Sequence, residues 1–265
     1  MALTPLLRGY QQVILDLDGC VWLGPNPIPG SLEAIEEIRA GGLGLAFVTN
    51  NSWLTAEDLV TKLWGIGVQA SLADVVTVGG AMQHLLAETR YGRTAFVIGS
   101  EAMFRHVKDA GLRVMNGTDL ASRAEVVVVG ATLDLTYDDI KNASLAVRRG
   151  ADLLATGRDP TYPMPDGFWP GTGAILASVE AASGQTASIV GKPEPQLFFT
   201  ALDRLGDGRS LVIGDRLDSD VAGAAKARLD AALVLTGDTS AEEAAVARKP
   251  KPVAVAANLK ELVVA

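Results

Sequence analysis

Four apolar runs in this chain each give way to residues that could do chemistry. Val13-Ile14-Leu15 runs into Asp16-Leu17-Asp18-Gly19, two carboxylates two positions apart with a glycine behind them. Leu211-Val212-Ile213 runs into Gly214-Asp215-Arg216-Leu217-Asp218-Ser219-Asp220. The run at 43–48 ends in Thr49-Asn50-Asn51-Ser52, and the run at 188–190 in Gly191-Lys192-Pro193. Three carboxylates from the pairs Asp16/Asp18 and Asp215/Asp220, with nothing soft nearby, suit a hard cation, Mg²⁺ above all. Lys192, with Thr49 and Asn50 as further donors, offers a seat for an oxyanion. An acidic metal pocket beside a lysine suits phosphoryl transfer, where catalysis is mostly positioning and charge neutralisation. Taken alone, Asp16 to Gly19 fits a strand leaving the core through an Asp/Gly turn equally well. Convergence of the four clusters favours chemistry.

Such convergence needs strands that run the same way in one sheet, because ligands in an open α/β sheet collect outside the strands' carboxyl ends. The spacing supplies them. Residues 31–40 read as a helix capped by Ser31, with Leu32, Ile35 and Ile38 on one face and Gly41-Gly42 as its stop. Residues 55–64 read as a second helix, with Thr55 as cap and Glu57-Asp58 at its positive end. A strand at 75–78 follows and ends at Gly79-Gly80, read as a hinge. Strand, helix, strand, helix, strand predicts a parallel sheet with right-handed crossovers. The Pro/Gly-rich stretch 24–30 is expected to hold no regular element.

From residue 81 the pattern restarts, with helices expected at 81–89, 101–110, 136–149 and 173–183 and strands at 94–98, 126–129 and 152–155. Residues 156–170, dense in proline and aromatics, read as a loop. A helix at 197–205, a strand at 211–213, a small-residue helix at 221–227 and strands at 232–235 and 253–255 complete the chain before a short terminal helix.

Composition narrows the partners. The chain has 265 residues, 48% of them hydrophobic, and a net charge of −8 without any Lys/Arg-rich run, so a nucleic-acid partner is not expected. No apolar run approaches the roughly 20 residues a bilayer span needs. The first ten residues lack a signal-peptide core and there is a single cysteine, Cys20; both fit a cytoplasmic protein. Cys20 itself reads as a small buried side chain. His84 and His106 read as surface residues, Arg216 as the partner of a carboxylate, and Asp218 as a solvated loop residue.

The four clusters also occur in a recognisable order. Asp16-Leu17-Asp18-Gly19, Thr49-Asn50-Asn51, Gly191-Lys192-Pro193 and Gly214-Asp215-Arg216 through Asp220 match the four motifs of the haloacid dehalogenase (HAD) superfamily. The chain resembles its phosphatases, and in the forms Thr-Asn-Asn, Gly-Lys-Pro and Gly-Asp-Arg it resembles the NagD-like, p-nitrophenylphosphatase-like subfamily IIA. The resemblance implies an α/β fold: a doubly wound, Rossmann-like parallel-sheet core over residues 1–80 and 186–265, with an α/β cap inserted at 81–185. It implies that Asp16 is the nucleophile that forms an aspartyl-phosphate and Asp18 the general acid and base. Mg²⁺ would be held by the Asp16 carboxylate, the Asp18 carbonyl and Asp215, with Asp220 behind them. Gly19, Thr49, Asn50, Asn51 and Lys192 would surround the phosphoryl oxygens. Cap contacts to the substrate are expected from 156–172, where Arg158, Asp159, Tyr162 and Trp169 are candidates and simple packing of the loop is the alternative. The expected partner is a small phosphorylated metabolite such as glycerol phosphate, phosphoglycolate, a sugar phosphate, a nucleoside monophosphate or pyridoxal phosphate. Neither nucleic acid nor membrane is expected, and a homodimer stays open. Two other readings are a phosphoaspartate signalling module and a phosphomutase without net hydrolysis.

Overall fold

The computed structural model describes residues 2–265. In chain order they form β1 (Gln12–Leu15), a small hairpin of β2 (Trp22–Leu23) and β3 (Asn26–Pro27), α1 (Ser31–Ala40), β4 (Gly44–Thr49), α2 (Ala56–Gly65), β5 (Val75–Thr77) and α3 (Val78–Thr89). Next come β6 (Thr94–Ile98), α4 (Glu101–Asp109), β7 (Arg113–Val114), β8 (Val126–Val129), α5 (Tyr137–Arg148) and β9 (Asp152–Ala155). They are followed by the hairpin of β10 (Thr161–Met164) and β11 (Gly167–Pro170), α6 (Thr172–Ser183) and β12 (Ser188–Ile189). The chain closes with α7 (Gln196–Leu205), β13 (Ser210–Gly214), a wide turn at Leu217–Val221 entering α8 (Ala222–Lys226), β14 (Asp230–Val234), α9 (Ala241–Val246), β15 (Ala254–Ala256) and α10 (Leu259–Val263). Among the described residues no helix is long and apolar enough to cross a membrane.

Two parallel sheets organise these elements. The first has the order β15-β14-β13-β1-β4-β5, so β1 is central and its two neighbours are the strands that end in the other polar clusters. All four residues of β1 are buried, as expected of a strand covered on both faces. Successive side chains go to opposite faces. Ile14 joins Val48, Val212 and Phe198 on one side, while Val13 and Leu15 join Phe47, Ile213 and the Ile35, Ile38, Leu59 and Leu63 faces of α1 and α2. Each large side chain buried this way contributes about 1.5–3 kcal/mol before entropy is counted. The Thr55 hydroxyl caps α2 by accepting the Asp58 N–H at 3.2 Å. The second sheet has the order β12-β9-β8-β6-β7. Val97, Val126 and Val128 on one face share the first sheet's core, and Val127 and Val129 on the other pack with Ala143, Leu176 and Val179 of α5 and α6.

Several expectations are corrected. The run leading to Lys192 is not in the first sheet: β12 pairs with β9, Ser188 opposite Leu154, so Lys192 reaches the site from the second sheet. Gly79-Gly80 does not follow a strand but forms the first turn of α3, which Thr77 caps by accepting Gly80 N–H at 3.0 Å. Gly79 is there for proximity, since a Cβ on it would lie 2.6 Å from the His106 ring. His106 is accordingly half-buried, with Nδ1 2.7 Å from Gln83 Oε1, whereas His84 is exposed as expected. The stretch 24–30 holds β3, the second strand of a hairpin that begins at Trp22, and the stretch 156–170 holds the hairpin of β10 and β11, with Tyr162 opposite Trp169. Proline tolerates both because neither hairpin extends beyond its own two strands.

Candidate active site

The carboxyl ends of β4, β1 and β13 lie side by side because β1 pairs in parallel with both neighbours, Leu15 opposite Phe47 and Ile213. Asp16 extends the ladder by one bond, its N–H donating to Ile213 O at 2.9 Å. The chain then turns back, and Val21 N–H reaches Leu17 O at 2.8 Å. Gly19 holds φ +83° in that turn, and a Cβ on it would lie 2.5 Å from Asp215 Oδ2. Only glycine meets both demands. Asp215 is thus wedged against a glycine backbone, and it accepts Asp238 N–H at 2.8 Å. Lys192 Nζ donates to Asp16 Oδ1, to Asp220 Oδ1 at 2.6 Å and, weakly, to Val48 O at 3.4 Å. Asp220 Oδ2 accepts Arg216 N–H at 3.1 Å, so both of its oxygens are engaged.

All four of these charged side chains are buried. Burial drives the Asp16 carboxyl well above the usual carboxylate range; Lys192 pulls it down, and Asp220 and Asp215 push it further up. Asp215 is pushed up to about 8, by burial first and Asp220 next. Burial opposes the charge on Lys192 too, yet Asp16 and Asp220 more than offset it and hold the ammonium above the ordinary lysine range. Three buried carboxylates therefore gather around one ammonium. That excess of negative charge is costly in a low-dielectric interior unless another cation joins it.

Asp18 sits in a ring of donors. Trp22 Nε1 and the Tyr162 hydroxyl each donate to Oδ1 at 2.8 Å, and Asn51 Nδ2 and the Thr49 hydroxyl reach Oδ2 at 3.1 and 3.4 Å. Burial, then the nearby Asp18 charge, raises the Tyr162 phenol above its usual range and keeps it a donor. Tyr162 stands on β10, so the hairpin of β10 and β11 reaches Asp18 directly. Beside it, the Thr161 hydroxyl donates to Asp238 Oδ1 at 2.7 Å.

Comparison with known proteins gives this geometry its family. The haloacid dehalogenase-like hydrolase family model matches residues 13–113, and a HAD-hydrolase-like model matches 189–262. D-glycerol 3-phosphate phosphatase of Mycobacterium tuberculosis is 36% identical over 260 residues, covering 97% of this chain and 72% of its own. The chain belongs to the haloacid dehalogenase-like hydrolases. The acid sugar phosphatase of Staphylococcus haemolyticus is 32% identical, covering 89% of each chain. The crystal structure of glycerol phosphate phosphatase from M. tuberculosis with magnesium superposes with a TM-score of 0.87 at 34% identity, covering 99% of this chain and 79% of that one. This HAD hydrolase is a phosphatase, acting on phosphoric monoesters.

Within the HAD site, the donor set fits magnesium. Asp16 and Asp215 oxygens and Cys20 Sγ all lie within 4.8 Å of one another. A soft atom is therefore closer than expected, but burial raises the Cys20 thiol well above its usual range. A protonated thiol is no match for carboxylate oxygens at a hard cation. Cys20 packs beside the site, fully buried as expected.

Asn50, expected on the phosphoryl oxygens, lines the cavity, with its side-chain amide held by Lys192 and Asp159: Oδ1 accepts Lys192 N–H at 2.7 Å, and Nδ2 donates to Lys192 O at 2.9 Å and Asp159 Oδ2 at 3.1 Å. One sequence-based placement does not hold. Arg158 points away from the cavity and forks onto Glu180 of α6 at 2.7 and 2.9 Å. Arg216 is indeed paired, with Asp159, Asp218 and Asp238, and Asp218 is exposed. Sequence reasoning missed Trp22 and Lys62. Lys62 of α2 donates to Gly24 O at 2.9 Å with its ammonium 3.8 Å from the centre of the Trp22 ring. Nothing in their spacing marks them; only the fold brings them to Asp18. Above the charged floor lies a cavity of about 700 Å³ whose walls include Leu133, Leu135, Met164 and Trp169.

Proposed function

We propose that this HAD phosphatase hydrolyses a small organic phosphate monoester in two steps at Asp16, with Asp18 moving the protons. One observation carries the reading: a buried carboxylate at the end of the central strand, gripped by a buried lysine, with a second carboxyl two residues on that faces the same cavity. An Asp16 oxygen attacks phosphorus, the bond to the leaving oxygen breaks, and Asp18 gives that oxygen its proton. Asp18 then takes a proton from water as the water oxygen attacks phosphorus. The bond to Asp16 breaks, and inorganic phosphate leaves. Lys192 holds Asp16 in line and faces the negative charge that builds on the phosphoryl group. Thr49, Asn51 and Gly19 border the place that group would occupy. The Asp16 and Asp215 carboxylates would hold Mg²⁺ together with the Asp18 carbonyl, and Asp220 would steady Lys192 behind them. When bound, the ion neutralises the crowded carboxylates and the phosphoryl oxygens.

Residues 81–185 act in this proposal as a cap that excludes water and selects the leaving group. Support comes from Tyr162 and Thr161, which bond across to Asp18 and Asp238. Glycerol phosphate and sugar phosphates, named for two relatives, head the candidate substrates. The test is phosphate release from p-nitrophenyl phosphate and a metabolite panel with Mg²⁺, comparing the native chain with D16N. Undiminished turnover in D16N would remove Asp16 as the nucleophile. Phosphate retained on the protein without release would favour a signalling module.

A further inference from the structure

Asp159 takes no part in the chemistry proposed above, yet its contacts lead straight into it. It lies between β9 and β10, with a side chain 20% exposed. Its Oδ2 accepts Asn50 Nδ2 at 3.1 Å, and its Oδ1 is 3.4 Å from Arg216 Nε. Arg216 is fixed from other directions by Asp218 at 3.1 Å and Asp238 at 2.9 Å. A carboxylate can only accept hydrogen bonds. Asp159 therefore dictates which way the Asn50 amide faces: NH₂ toward Asp159, carbonyl toward the Lys192 N–H. The reverse orientation would set oxygen against carboxylate at one end and NH₂ against N–H at the other.

Held that way, the amide grips Lys192 by both backbone groups, accepting its N–H at 2.7 Å and donating to its carbonyl at 2.9 Å. The Lys192 side chain then reaches Asp16 and Asp220. The junction is built for closeness. A Cβ on Gly157 would lie 2.6 Å from Asp159 Oδ2, and one on Gly191 would lie 2.4 Å from Asn50 Oδ1. A Cβ on Gly173 would lie 2.9 Å from Asp159 O, which accepts the Gly173 N–H at 2.8 Å.

We propose that Asp159 is a positioning residue: through Asn50 it fixes the backbone of Lys192, and so the ammonium on Asp16. Because Asp159 belongs to the second sheet's connections and Asn50 follows β4 of the first, this contact also ties the seating of the cap to the charge balance at the nucleophile. The inference rests on the hydrolysis proposed at Asp16. Misplacing a catalytic group by about 1 Å can cost on the order of a hundredfold in rate.

The experiment is a double-mutant cycle on kcat for p-nitrophenyl phosphate with Mg²⁺, using D159L, N50A and D159L/N50A, with thermal melts of each. D159L is expected to lower kcat about tenfold or more with KM within about twofold, and to cost nothing further in the N50A background. D159N keeps an acceptor for Asn50 and is expected to stay within about threefold of the native kcat. Losses that multiply in the double variant, or D159L turnover within about twofold of native, would overturn the role. If D159L fails to fold, D159A takes its place in the same cycle: a loss of about tenfold that vanishes in the N50A background supports the role, and near-native turnover or losses that multiply overturn it. No turnover in the native chain would instead overturn the hydrolysis reading, and this inference with it.

Discussion

The floor and the walls of the cavity are built on opposite plans. At the floor, Asp16, Asp215, Asp220 and Lys192 are buried to within a few per cent, and most of their polar atoms are already committed to a partner. At the walls, Leu133 and Trp169 are 69% and 37% exposed and bring mostly apolar surface. Buried charge is unforgiving of displacement, because an ion that loses its partner in low dielectric has nothing to replace it. Apolar surface tolerates change in shape at modest cost. On the proposed reading, chemistry belongs to the buried, paired floor, and choice among leaving groups to the exposed apolar walls.

The sharpest way to break that contrast is to remove the floor's cation. K192M should lower kcat by on the order of a hundredfold or more. In metal-free protein it should also lower unfolding stability by about 3 kcal/mol, read from the denaturant midpoint. Unchanged stability would mean that the carboxylates do not depend on Lys192.

A second test uses pH. Asp215 is pushed up from 3.8 to about 8, so in the folded chain it keeps a proton that the unfolded chain has already lost between those values. Its contribution to stability is present below roughly pH 4 and is lost as pH rises through about 8. Metal-free protein should thus melt progressively lower across that window, and saturating Mg²⁺ should flatten the slope. A metal-free melting temperature that rises from pH 5 to 8 would contradict the crowding of charge at the floor.

Smaller effects belong to the walls. W169A should change KM for a bulky monoester by about three- to tenfold while leaving kcat within about twofold, since it alters contact area and not the reacting groups. A fall in kcat with KM unchanged would put Trp169 in the chemistry. The smallest change is R158A. Its partner Glu180 lies outside the cavity on a half-exposed pair, so activity should be native and stability within about 1 kcal/mol.

The same contrast explains what could be read from sequence. Asp16, Asp18, Lys192, Asp215 and Asp220 were legible because each follows a short apolar run, and a run that ends at a sheet edge leaves little choice about where its next residues go. The parallel sheet was legible from the alternation of strands and helices. Asp159 was legible only as a candidate substrate contact, not as a partner of Asn50, and Trp22 not at all, because their roles arise from contacts across 109 positions in one case and from a hairpin hidden by proline and glycine in the other. The allegiance of β12 was equally hidden: two residues carry too little pattern to say which sheet they will join, and the pairing with β9 decides it. The grip of Asn50 on Lys192 was hidden because an amide offers both a donor and an acceptor, and the sequence does not say which neighbour uses them.

The most direct test of the division between floor and walls is to trap the phosphoryl group. D18N keeps Asp16 and the wall residues but lacks the base for the second step. With p-nitrophenyl phosphate and Mg²⁺, followed by rapid acid quench, peptide mapping should find close to one hydroxylamine-sensitive phosphoryl group per chain, on Asp16, and none in D16N/D18N. Turnover by the native chain with no phosphoryl group recoverable on Asp16 at any quench time would contradict it.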